Sequence, residues 1–145
     1  AEYFVNQDWP LNREQGYAAC EALGWPATGD GGFTMPYGLQ HVDEASVIAG
    51  RRVNDVAEIQ FWLTDVVRDA SAERDQFMND FFTSCVDSFR TLWGKGKMTR
   101  TKEDHEARWD TSNGCHVILL NNWKSVTFTL YSPSFTEVLR SLGEL

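Results

Sequence analysis

From Ala57 to Thr64 apolar and polar residues alternate, with Ala57, Ile59, Phe61 and Leu63 on one side and Glu58, Gln60, Trp62 and Thr64 on the other. A period of two predicts a half-buried strand within "VNDVAEIQFWLTDVV", residues 53–67, carrying a large aromatic on its polar side. A shorter run near Ser46 to Ala49 is placed to pair with it through a turn at "GRRVND". The period then changes. Met78, Phe82, Cys85, Phe89 and Leu92 recur at steps of four and three, with Phe81 and Val86 beside them, which predicts one long amphipathic helix. Glu73, Asp75 and Asp80 in its first half, Arg90 in its last turn and Gly94 as its stop all suit that direction of the helix dipole.

The flanking segments read more simply. Asn12 with Gln15 forms a capping pattern ahead of an apolar stripe at Tyr17, Cys20 and Leu23, and Gly24 and Pro26 end that helix. "TGDGG" at 28–32 is turn chemistry before a short strand around Phe33 to Tyr37. "HEARWDT", "CHVILLNN" and "SVTFTLYS" form a three-strand meander with turns at Ser112-Asn113-Gly114 and at 121–124. "SFTEVLRSLGEL" closes as a short helix, with Ser134 and Glu137 as its capping box and Val138, Leu139 and Leu142 expected to face inward. The order predicts a single α+β domain over residues 1–145. Its antiparallel sheet has about five to six strands, packed by one long central helix and shorter N- and C-terminal helices.

Composition supports this and narrows the chemistry. A chain of 145 residues with 42% apolar and 13% aromatic content fits one packed domain rather than a disordered segment. It holds no apolar stretch of the roughly 18–20 residues that span a bilayer, and no signal-peptide pattern at its start. Cys20, Cys85 and Cys115 form no CxxC pair and read as buried free thiols, which favours a cytoplasmic home. The formal net charge is −8, yet "RTLWGKGKMTRTK" at 90–102 holds five basic residues and no acid, so the rest is more acidic still. Such a surface repels nucleic acid and anionic membranes and attracts a basic protein.

Motifs for catalysis are lacking. Gly96-Lys97 is followed by Met98 and comes after a helix, whereas a phosphate loop needs Gly-Lys-Ser/Thr ahead of one. The 90–102 run therefore reads as a glycine stop and a solvated link into the sheet. His105 with Glu103, Asp104 and Glu106, and His41 with Asp43 and Glu44, are charged clusters without metal-ligand spacing. Cys115 and His116 are adjacent, so on a strand they point to opposite faces, which works against a direct dyad. The expectation is therefore no cofactor, no metal and no catalytic residue. A protein-binding surface is expected instead, built on Trp62, Trp109 and Asp110 with Glu103, Asp104 and Glu106 around them, an aromatic and acidic composition suited to a hot spot.

"DWPLNREQGYAACEALGWP", "IQFWLTDVV" and "RWDTSNGCHVILLNNWKSVTFTLYSP" together resemble a group of small, uncharacterised actinobacterial α+β proteins. The resemblance implies an immunity partner of a secreted polymorphic toxin, and it transfers no catalytic residue. The element order and acidity are also similar to those of type III secretion chaperones, acidic α+β dimers that bind an unfolded effector segment. That likeness implies an alternative role as a chaperone or adaptor.

Overall fold

The structure, a computed structural model, describes residues 1–40, 42–50 and 54–145. His41, and residues 51–53 of the "GRRVND" turn, lie outside the described residues. The helices are α1 (Glu2–Val5), α2 (Arg13–Ala22), α3 (Ala72–Trp93) and α4 (Pro133–Ser141). The strands are β1 (Ala27–Gly29), β2 (Gly32–Thr34), β3 (Glu44–Ala49), β4 (Val56–Trp62), β5 (Lys97–Arg100), β6 (His105–Asp110), β7 (His116–Asn121) and β8 (Val126–Tyr131). All eight form one antiparallel sheet in the order β1-β2-β3-β4-β8-β7-β6-β5.

That order describes two like units. Each is a helix followed by a four-strand meander, α2 with β1–β4 and α3 with β5–β8, and the units join where β4 pairs with β8. α2 packs over β3, the third strand of its meander, and α3 packs over β7, the third strand of the other. Gly16 lets α2 approach closely: a Cβ there would stand 2.6 Å from Val56 Cγ2 and 3.1 Å from Val47 Cγ1. The apolar sides of both meanders and the inner faces of α1, α2 and α3 share one core. In the middle of it Phe61 of β4 meets Phe128 of β8 with ring centroids 4.8 Å apart.

Local chemistry sets the helix starts, at α2 as the sequence predicts and at α3 through a cap found in the structure. Asn12 and Gln15 bond reciprocally in a capping box at α2, and Ser71 accepts from Arg74 N–H at 3.0 Å at the start of α3. Met78, Phe82, Val86 and Phe89 of α3 are buried, whereas Leu92 is exposed and Trp93 is the ring of the last turn that packs on the core.

Four expectations need correction. The sheet has eight strands rather than five to six, because "TGDGG" closes a real hairpin between β1 and β2 and the basic run contributes β5. The strand expected within residues 53–67 spans only Val56–Trp62. At the C-terminus Ser132, not Ser134, caps α4, and Pro133 occupies its first turn. Val138 and Leu142 are 51% and 67% exposed, and it is Thr136 that turns inward.

The run 90–102 also has a structural task. The Gly94 carbonyl accepts the indole N–H of Trp109 at 2.9 Å, and Gly96 passes so close that a Cβ would stand 2.5 Å from Trp109 Nε1. At φ 70° Gly96 also needs the freedom of glycine. The two Gly-Lys pairs thus form a collar over a buried tryptophan.

Truncating the central ring should be expensive and truncating the exposed helix position should not. Phe128→Ala is expected to lower stability by about 3–5 kcal/mol, and Val138→Ser to stay within about 0.5 kcal/mol, both read from urea midpoints. A small loss at Phe128, or a large one at Val138, contradicts this packing.

Candidate functional site

Strand alternation divides the expected docking residues between two faces. His105, Ala107 and Trp109 of β6 point to the helix-covered side, while Glu106, Arg108 and Asp110 point to the other. Trp109 is only 2% exposed, edge-on to Phe89 at 5.4 Å and near Trp93 at 6.3 Å, so it is a core ring and not a surface anchor. Glu103 is exposed in the β5–β6 turn, and Asp104 is tied into that turn through Thr101. The acidic cluster around His105 is split in the same way, with the His105 ring tilted against Phe82 of α3 at 4.5 Å.

The open sheet face carries cross-strand rows. One runs Glu58, Tyr131, His116, Asp110 across β4, β8, β7 and β6, and another runs Trp62, Thr127, Leu120, Glu106. The sheet therefore does bring Trp62, Glu106 and Asp110 to one face. Trp62 and Glu106 are three strand spacings apart, about 14 Å.

The first row is chemically dense. Asp110 Oδ1 lies 2.8 Å from His116 Nδ1 and also pairs with Arg140 of α4. Arg108 approaches His116 Nε2 at 3.4 Å and pairs with Glu106. A carboxylate only accepts, so His116 Nδ1–H is the donor to Asp110. Tyr131 lies parallel to the imidazole at 6.2 Å and meets Phe135 of α4 edge-on at 5.2 Å. Burial works against ionisation of Asp110, but the hydrogen bonds and charges of His116 and Arg140 outweigh it, and its pKa falls below the ordinary 3.8. A groove of about 540 Å³ beside this row is lined by both signs, with Lys97, Arg108 and Arg140 facing Glu106, Asp110 and Glu144. Its charges are largely paired within the protein, so it offers no concentrated field to an ion. Burial raises the thiols of Cys20 to about 12 and of Cys85 and Cys115 to about 11, far from the range of a thiolate nucleophile.

The second feature was invisible in the sequence. Where β4 ends, an apolar hollow of about 340 Å³ opens between α1, the end of α2 and the segment 35–39. Phe4, Trp25, Met35 and Phe61 are buried in its floor, while Tyr3, Tyr37, Leu39 and Trp62 lie along its walls. The Trp25 indole N–H donates to the Tyr37 hydroxyl at 2.9 Å, which fixes a ring that is 63% exposed. A second hollow, about 310 Å³, shares Leu39 and Leu63 with the first and continues to Val67, Phe77, Met78 and Phe81. The two form one groove. Its residues come from five separate segments, and none of those segments alone carries a pattern that marks them as neighbours.

The matched region in comparison with known proteins spans both meanders. A model described as a family of unknown function (DUF6301) matches residues 1–132. The chain belongs to this family. The DUF6301 match takes in α1–α3 and every strand, hence the whole apolar groove, and ends where α4 begins. No curated protein and no solved structure matches the chain. Among the described residues no helix is long and apolar enough to cross a membrane.

The Asp110 pairing has a pH signature. A carboxyl whose folded pKa is depressed adds stability above its unfolded value, and that contribution is lost as pH falls through the folded value. Asp110→Ala should cost up to about 1 kcal/mol at neutral pH, since the group is largely exposed. The gap between the two urea midpoints should close as pH drops below 3.8. A gap that persists in acid would mean that the loss comes from packing and not from charge.

Proposed function

We propose that this protein is a non-enzymatic protein-binding domain of the cytoplasm, an immunity protein that neutralises a cognate toxin by covering it. The observation that carries the reading is Trp62. It stands half-buried at the corner where the apolar groove meets the open sheet face, next to the exposed ring of Tyr37. A large ring held by its strand and rimmed by other aromatics suits an anchor that excludes water from a contact. The net charge of −8 would speed the approach of a basic toxin.

A second reading is a secretion chaperone or adaptor that binds an effector segment. It is favoured by β5, which ends the strand order and leaves an edge to which an extended segment can add. Lys97 and Arg100 on that edge favour an acidic segment.

Co-expression with the product of the adjacent gene tests the first reading. That product alone should arrest growth, the pair should grow, and Trp62→Ala should weaken the complex by about 2 kcal/mol, roughly thirty-fold in Kd. A neighbour that is harmless alone, or that still kills beside this protein, contradicts it. Under the second reading the protein would be a homodimer, and a short extended piece of the partner would bind as tightly as the whole.

A further inference from the structure

We infer that the apolar groove receives one amphipathic, basic helix of the partner. This rests on the protein-binding reading above and adds what enters, where, and with which charge. Three observations converge on it.

The first is the groove's form. Its two hollows, joined over Leu39 and Leu63, call for two apolar anchors on one element. One enters over Trp25 and Phe61, the other between Val67 and the pair Phe77–Phe81. Those last two rings lie near-parallel with centroids 6.1 Å apart, and Phe77 is 54% exposed on a helix whose inner face is otherwise well covered. A helix supplies anchors at such positions along a single stripe.

The second is the state of the backbone around it. β4 is paired on both sides, so it offers no free edge to the groove. Nearby N–H groups are already taken: Leu63 N–H by the Val126 carbonyl at 2.8 Å, Val67 N–H by Lys124 at 2.8 Å and Tyr37 N–H by Met35 at 2.9 Å. An extended segment laid here would bring its own N–H and C=O groups into apolar surroundings without partners. A helix satisfies them internally.

The third is charge. Glu73 and Asp80 stand one turn before and one turn after Phe77 on α3, both exposed, and Asp69 precedes them. The one base between them, Arg74, is spent locally. It pairs with Asp75 at 3.0 Å and donates to the carbonyls of Val67 and Arg68 at 3.2 Å, which pins the groove's outer wall to α3. Against the exposed Arg68 the rim beside the second hollow carries Asp69, Glu73 and Asp80, so it is net acidic and complements Lys or Arg flanking the second anchor.

The test uses a labelled synthetic peptide of about five helical turns, with Leu and Trp on one stripe and Lys elsewhere, and the same peptide with Glu for every Lys. Fluorescence anisotropy with the full chain should show binding of the Lys peptide and at least about tenfold weaker binding of the Glu peptide. Phe77→Asp should weaken the Lys peptide about tenfold or more, although it adds negative charge. Glu73→Lys combined with Asp80→Lys should narrow or reverse the preference between the peptides. All these positions are exposed, and unchanged urea midpoints would confirm that the variants fold.

Equal or tighter binding to Phe77→Asp would show attraction by net charge alone and overturn the inference. So would no binding of the Lys peptide at about 1 mM, or an unchanged preference in the double variant. The broader reading fails separately. If the adjacent gene product binds Phe77→Asp as well as the native chain, the protein-binding role stands and the groove assignment falls.

Discussion

The contact between β4 and β8 is the constraint on which the rest of the molecule depends. It joins two helix-and-meander units through five register pairs from Glu58↔Tyr131 to Trp62↔Thr127, with Phe61 opposite Phe128 near the centre. Without it each meander would end in an unpaired strand and each covering helix would bury only half a core. The two strands are far apart in the chain, so the pairing closes a long loop and needs a large local gain to form. Phe61 supplies much of that gain. Its ring meets Phe128 at 4.8 Å, Trp25 at 5.9 Å and Phe4 at 6.0 Å, which ties α1 and the end of α2 to the junction. The same ring is the floor of the apolar groove. Site and fold therefore share a residue.

Much of the fold was legible because periodicity is a local signal. The alternation of residues 57–63, the four-three steps of α3 and the Asn12–Gln15 cap each depend on a few neighbours in sequence, and each appears in the structure. The extra strands were missed because β1 and β5 are three and four residues long and carry no alternating apolar set. Partners on the sheet, not their own composition, make them strands. Trp109 was misread for a different reason. Its neighbour Asp110 is exposed, and adjacency along a strand places side chains on opposite faces. α4 was misread because its apolar residues outnumber the space offered by a polar sheet face bearing Glu58, Tyr131 and His116.

The groove was the least legible feature, since Tyr3, Trp25, Tyr37 and Trp62 meet only once the first unit folds, and Phe77 extends the groove from α3 of the second. Trp62 alone was singled out, by its place as a large ring on a polar strand face. The charge pattern now has a physical distribution as well. The basic run becomes β5 and a collar around Trp109, at the edge of the sheet, while the acids at 69–80 border the groove. The two grooves differ accordingly. One is a face of paired charges latched to α4, and the other is apolar with an acidic rim on α3.

The central claim, that the partner sits in the groove over the β4–β8 junction, is tested most directly by hydroxyl-radical footprinting of the protein with and without the product of its adjacent gene. Tyr37, Phe77 and Phe81 should lose reactivity in the complex, while Val138 and Leu142 of α4 keep theirs. Protection of α4 or β5 with Tyr37 and Phe77 still reactive would place the partner on the other side and contradict the account.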